Sequence, residues 1–270
     1  SGFEKMRLCS IASGSSGNCI YAGTEATHIL VDAGISGKRV EAGLHSIGLT
    51  GHDIDGILVT HEHSDHISGL GVLCRRYHIP IYTTPGTAAA IRSCSSIGKI
   101  PEELFCEIRA DEPFTIKDLT VNPMQISHDA AQPVAYRFSY GAKKAAVCTD
   151  LGTYNDYTVE CLKGMDVLFL EANHDVNMLL AGSYPYYLKQ RILGNRGHLS
   201  NENSGRLLSR VLHDHLQAVF LGHLSQENNL PELAYETVRL EIAMGDNPYQ
   251  AGDFPIRIAP RSDLSEMIAF

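Results

Sequence analysis

The sequence is as informative for what it lacks as for what it holds. No stretch approaches the roughly 18–20 consecutive apolar residues of a transmembrane helix, so the chain reads as no integral membrane protein. Its opening residues, Ser1-Gly2-Phe3-Glu4-Lys5, carry no apolar run of a secretory signal, and Met6 is the expected native start. Seven cysteines (9, 19, 74, 94, 106, 148 and 161) form no Cys-x-x-Cys pair, and their odd number argues against a disulfide framework. Thiols without a signal or a span point to a reducing cytoplasm. Internal repeats, proline-rich linkers and low-complexity tracts are missing too, which favours a single domain over 1–270. Basic charge is in deficit: 22 Lys and Arg against 31 Asp and Glu leave a net −9, the opposite of the balance usual in nucleic-acid-binding proteins.

Hydrophobic residues make up 44% of the chain, enough for a large core and too many for a disordered one. Short β-like runs at 7–11, 19–22 and 28–31 precede a helix capped by Ser36, in which Val40, Leu44 and Ile47 recur at helical spacing until Gly48. A buried strand is expected over 56–60. A helix through Ile67, Leu70, Leu73 and Tyr77 should end before Pro80. A strand at 81–83 and a helix at 87–95 follow. A second β cluster (105–108, 119–126, 134–140, 145–149) has a hairpin turn over 140–144. Helices at 156–162, 185–193, 201–212 and 231–244 then alternate with strands at 167–171 and 218–221. Two β-rich blocks, each followed by helices, predict an α/β fold, a four-layer αββα sandwich.

The chain has 13 histidines, and three cluster in His61-Glu62-His63-Ser64-Asp65-His66. This run stands where an apolar strand gives way to a helix. Alternate residues of an extended segment face the same way, so His61 and His63 can grip one ion while Asp65 and His66 turn toward a second. Imidazole and carboxylate suit zinc, manganese or iron. Three more polar residues follow β runs: His128, Asp150 and His223. Alone, His128 also reads as a loop residue, Asp150 as a helix cap and His223 as a turn. Ligands at the ends of several strands nevertheless converge on one sheet edge, as a dinuclear site requires.

The order His-x-His-x-Asp-His, then His128, Asp150 and His223, resembles the metallo-β-lactamase superfamily of dinuclear hydrolases over nearly the whole chain. The resemblance implies two divalent ions, with His61, His63 and His128 on one, Asp65, His66 and His223 on the other, and Asp150 bridging. It makes Asp32, in Leu-Val-Asp-Ala-Gly, a residue that orients the site. True β-lactamases carry cysteine where this chain has Asp150 and lack the His66 ligand. The set therefore favours phosphodiesterases, nucleases and glyoxalase II, and Cys148 is expected in the core. The runs Ser10–Asn18, Glu171-Ala-Asn-His-Asp175 and Arg196-Gly-His-Leu-Ser-Asn-Glu202 are similar to the YycJ/WalJ (VicX) branch. That likeness implies a bacterial, metal-dependent 5′→3′ DNA exonuclease. Asp150 and His223 stand 73 positions apart, too close for the extra domain that β-CASP nucleases insert there, typically over ~100 residues.

Other residues are expected around such a centre. The loop holding Ser15, Ser16 and Asn18 can offer amides and hydroxyls to a phosphate. His198, ahead of a Ser200 helix cap, is a candidate acid toward the leaving oxygen, with Arg196 its neighbouring cation, and Asp65 a candidate to hold the attacking hydroxide. By resemblance, Glu171 and His174 lie near the metals. Tyr184, Tyr186 and Tyr187 can stack nucleobases, though packing at a helix start is the stronger expectation. The pairs Arg75-Arg76 and Lys143-Lys144 can touch a DNA backbone, but solvated faces are expected more. Thioester hydrolysis of the glyoxalase II kind, RNA processing of the tRNase Z kind and a non-catalytic metal module are the rival readings.

With few clustered cations, metal-free protein should bind DNA weakly, and salt should weaken that binding further. Fluorescence anisotropy across a salt series checks this, and tight, salt-insensitive binding would contradict it.

Overall fold

The computed structural model describes residues 5–270; Ser1 to Glu4, ahead of the expected start at Met6, lie outside the described residues. The chain divides into two compact units. The first comprises the residues through Gln125, with Ala130–Lys143 and Pro260–Phe270; the second comprises Ile126–Asp129 and Lys144–Ala259.

In the first unit, Arg7–Ala12, Cys19–Gly23 and His28–Val31 form an antiparallel meander, edged by Ile268–Ala269. The pairing then becomes parallel through Gly56–Leu58, Ile81–Thr83 and Phe105–Glu107. Parallel pairing needs crossovers, and the helices Gly37–Ser46, Leu70–Tyr77 and Pro85–Arg92 provide them. Ser36 caps the first, its hydroxyl accepting from Arg39 N at 3.2 Å. Val40, Leu44, Leu70, Leu73 and Cys74 are fully or almost fully buried, in one core with Leu30, Ile57 and Ile81. The same unit holds an antiparallel set, Phe114–Ile116, Leu119–Gln125 and Val134–Tyr140.

The second unit is built on parallel strands in the order Ile256–Ile258, Ala218–Gly222, Val167–Glu171, Lys143–Cys148. All five residues of Val167–Glu171 and of Ala218–Gly222 are buried, the signature of strands covered on both faces. Cys148 is buried with them, as expected of a core residue. The register Cys148↔Leu170 and Leu170↔Leu221 aligns the carboxyl ends of three strands. Helices Asn201–Val211 and Pro231–Met244 pack against each other at Gly205, where a Cβ would stand 2.6 Å from that of Glu241.

Several boundaries differ from the sequence expectation. The helix expected through 67–78 is two, Ser64–Ile67 and Leu70–Tyr77, because the backbone turns at Ser68-Gly69. Gly69 has no room for a side chain there: a Cβ would lie 2.0 Å from the Ile35 carbonyl. The strand expected over 56–60 ends at Leu58. The helix Val176–Ala181 and the strands Phe114–Ile116, Ile256–Ile258 and Ile268–Ala269 have no counterpart in the sequence reading. Tyr186 and Tyr187 are 77% and 75% exposed, so they do not pack as expected; Ile192 is the buried residue of Tyr186–Leu193.

Phe169 is fully buried, its ring 6.0 Å from that of Phe220. Phe169→Ala should cost about 3–5 kcal/mol of stability, read as a lower urea midpoint, whereas Phe169→Leu should cost far less.

Candidate metal centre

In the first unit the strand His28–Val31 delivers Asp32, and Gly56–Leu58 leads to Thr60 and His61. Asp32 sits in the left-handed region at φ 64°, its amide donating to Leu58 O at 2.8 Å. Its buried carboxylate accepts from Thr60 N at 2.8 Å and Thr60 Oγ1 at 2.7 Å, and lies 2.7 Å from His66 Nδ1. A threonine hydroxyl has one proton. Thr60 gives it to Asp32, so the 2.9 Å contact with His61 Nδ1 is a bond that Thr60 accepts. Both histidines therefore bear their ring proton on Nδ1, and Nε2 carries the lone pair. Burial pushes the Asp32 carboxyl up, while the bonds from His66 and Thr60 oppose it.

His63 and His66 gather beside His61, with ring centroids 4.6 and 4.1 Å from its own, and Asp65 Oδ2 lies 3.4 Å from His66 Nε2. Asn18 holds Asp65 in place: its Nδ2 donates to Asp65 O at 3.2 Å and Oδ2 at 3.3 Å, and its amide donates to Asp65 O at 2.9 Å. Asn18 Oδ1 accepts from Gly14 N at 2.9 Å and so closes the Gly/Ser loop. Gly17 takes φ +147° with a would-be Cβ 2.4 Å from Gly34 O, a conformation that requires glycine. Ser15 and Ser16 are exposed at the loop's tip. Arg261 Nη1 comes within 3.5 Å of Ser15 Oγ, an association invisible in the sequence because 246 positions separate them.

In the second unit Asp150, Glu171 and His223 stand at the aligned carboxyl ends of the parallel strands. Asp150 Oδ1 lies 3.6 Å from each of His128 Nε2, His198 Nδ1 and His223 Nε2. That is beyond hydrogen-bond reach. It fits donors around a cation, since ligands about 2.1 Å from one tetrahedral ion stand roughly 3.4 Å apart. Asp150, Glu171, His198 and His223 offer ligand atoms all within 4.8 Å of one another. Glu171 Oε2 lies 3.0 Å from His198 Nδ1 and 2.8 Å from His223 Nδ1, and Oε1 accepts from Leu199 N at 2.8 Å. Burial alone would raise the Glu171 carboxyl; the charges and bonds of His198 and His223 outweigh it and hold the carboxyl well below the usual range. His128 anchors its Nδ1 on Gly197 O at 2.9 Å, and burial keeps its pKa below the usual imidazole range.

His174 is only 1% exposed and belongs to no such ligand group among the described residues. Its Nδ1 lies 3.1 Å from Asn173 Oδ1, and burial lowers its pKa to about 4. Asn173 in turn donates from Nδ2 to His223 O at 2.9 Å. Ser200 caps the following helix as expected, accepting from Asn203 N at 3.1 Å. Arg196 is exposed, 4.0 Å from Asp129. Arg75 donates to the Ile97 and Lys99 carbonyls and Arg76 pairs with Glu41, so these two arginines brace the surface. Thr60, Asn173 and Arg261 were missed from the sequence; only Thr60 had a signal, its place directly before His61.

The donor sets fit divalent ions. Four histidines (61, 66, 128 and 223) present Nδ1 to a protein acceptor or carboxylate, the arrangement that fixes a metal-binding imidazole with Nε2 outward. The sequence pattern of a β-lactamase superfamily domain matches residues 27–223. This chain belongs to that superfamily. Among superfamily members, the exodeoxyribonuclease YycJ of Bacillus anthracis is 42% identical over 84% of this chain and 86% of its own. The exodeoxyribonuclease WalJ of Streptococcus pneumoniae R6 is 41% identical over 87% and 88%. At this identity and coverage the chain falls in the YycJ/WalJ branch, and it is a hydrolase. The metallo-β-lactamase fold protein YhfI of Bacillus subtilis, 16% identical, superposes with a TM-score of 0.72 over 99% of this chain and all of its own. The superfamily fold, an α/β sandwich of mixed sheets with helices, is the class expected from the sequence.

Thr60→Val keeps the shape but removes the hydroxyl that links Asp32 to His61. It should weaken metal affinity about 10–100-fold in chelator competition, with Thr60→Ser close to wild type. Equal affinity in Thr60→Val would refute the linkage.

Proposed function

We propose that this hydrolase is a metal-dependent phosphodiesterase acting on DNA as a 5′→3′ exonuclease. The observation that carries the reading is the set of outward Nε2 atoms fixed from behind by Asp32, Thr60, Glu171 and the Gly197 carbonyl. The choice of DNA is supported by the exodeoxyribonuclease relatives. The metal ligands we propose are His61, His63, Asp65 and His66, with His128, Asp150 and His223. The cofactor is two divalent ions, Mn, Zn or Fe. When bound, such ions supply Lewis acidity and ionise water near neutral pH.

The protein's own groups do the rest. Asp65, steadied by Asn18, holds the attacking hydroxide in line with the phosphorus. Asp150 gathers the imidazoles of its unit. His198 is 23% exposed with Nδ1 held by Glu171, which suits delivery of a proton to the departing oxygen. Asp32, Glu171 and His174 position these groups from behind. Ser15, Ser16 and the loop amides bind phosphate. The match over 27–223 runs through both units, which supports reading 1–270 as one domain. No helix among the described residues is long and apolar enough to cross a membrane, in keeping with a cytoplasmic place of action.

Manganese-loaded protein should shorten 3′-end-labelled DNA stepwise from its 5′ end. His63→Ala and Asp150→Asn should each lose at least about 10³-fold in rate while keeping the wild-type circular dichroism spectrum. Cleavage confined to RNA, or to a thioester, would transfer the assignment to the rival enzymes, and full activity in the variants would end it.

A further inference from the structure

Residues 176–196 of the second unit include a surface that the proposed chemistry does not use. Tyr186 and Tyr187, on the first turn of the helix Tyr186–Leu193, are among the most exposed large side chains described, and Leu180 is 52% exposed. This segment contains Lys189, Arg191 and Arg196 and no Asp or Glu, in a chain of net charge −9. One neighbouring acid, Asp129, serves both arginines, at 3.4 Å from Arg191 and 4.0 Å from Arg196, so the local balance stays positive.

The helix is also tied to the catalytic groups of its own unit. Past Leu193, the turn at Gly194–Gly197 is fixed by Ser127 Oγ donating to Asn195 O at 2.6 Å and Asp129 N donating to Arg196 O at 3.0 Å. Its Gly197 carbonyl accepts from His128 Nδ1, and His198 N donates to Ile192 O at 3.1 Å. The tyrosines therefore stand at a fixed offset from His198, and the helix that carries them spans about 10 Å, the scale of a few nucleotides. Exposed aromatic faces beside cations are what an unpaired nucleic-acid strand binds: bases stack on the rings and phosphates follow the charges.

We infer that Tyr186 and Tyr187 form a stacking platform for the bases of single-stranded DNA, with Lys189, Arg191 and Arg196 along its backbone. The inference rests on the nuclease reading above and specifies how the substrate strand is held. It requires bases already unpaired, because a duplex hides their faces.

Affinity is measured by anisotropy on the manganese-loaded full chain, with a fluorescent phosphorothioate oligothymidylate that resists cleavage. The pair Tyr186→Ala/Tyr187→Ala should bind at least roughly tenfold more weakly, with KM for single-stranded DNA rising in parallel, while Tyr186→Phe/Tyr187→Phe binds as wild type. Hydrolysis of a small p-nitrophenyl phosphodiester, too short to reach the platform, should be the same in all three. The chain has no tryptophan, so Tyr187→Trp is a single reporter whose emission should quench on adding the oligonucleotide. Unchanged affinity in the Ala pair would overturn the platform. So would a change in sedimentation alone, which would make the face a contact between copies. Wild type that cleaves the small diester yet neither binds nor cuts DNA would instead overturn the parent nuclease reading.

Discussion

A buried imidazole needs a partner for the nitrogen that does not do the work, and this constraint organises both units. In the first, the Asp32 carboxylate takes His66 directly and His61 through the Thr60 hydroxyl. The backbone follows: Asp32 N is fixed by Leu58 O, and Ala33 N by His66 O, so the strand ends and the His61–His66 segment are bonded together. Removing the carboxylate would leave a hydroxyl and an imidazole N–H unsatisfied in a sealed interior, which is costly in itself. The ring tautomers would be lost with it.

Glu171 plays the corresponding part in the second unit. It too is a buried carboxylate at the end of a parallel strand, and it too faces two histidines through Nδ1. Its second oxygen holds Leu199 N, which sets where the His198 segment runs. A single carboxylate thus aims one proposed ligand, His223, and one proposed proton donor, His198. Two carboxylates, from unrelated stretches of sequence, perform one structural task.

Much of this was legible from the residues. The His61–His66 run advertised itself by composition and by its place after an apolar strand, and Cys148 declared itself core by lying inside one. Elements with clear periodicity, such as those bearing Val40 and Leu44 or Leu207 and Leu208, fell where their apolar spacing put them. The short edge strands Ile256–Ile258 and Ile268–Ala269 left no period to read; they exist because a neighbour offers hydrogen bonds. Thr60 and Asn173 were missed for the same reason. Their roles arise from bonds to groups whose proximity only the fold creates. The break at Ser68-Gly69 was hidden because the apolar stripe continues through it. Tyr186 and Tyr187 looked like packing residues because periodicity shows which residues could share a face, not whether anything covers it.

Three of the six non-glycine residues with positive φ among those described are Asp32, Asp150 and His223, at 64°, 58° and 55°. Each lies within two residues of a strand's end, where the chain must swing a side chain sharply out of the sheet. Such backbone costs of order 1–3 kcal/mol apiece, less where aspartate or histidine tolerates it. Glycine at Asp150 or His223 would relieve that strain, whereas at Asp32 it would also strip the partner from Thr60 and His66. A chain so altered would shed backbone strain together with two of the proposed ligands, so a screen for stability alone would select against the proposed activity. Asparagine, which shares aspartate's tolerance of this conformation, is accordingly the gentlest way to test the proposed role of Asp150 without disturbing the backbone.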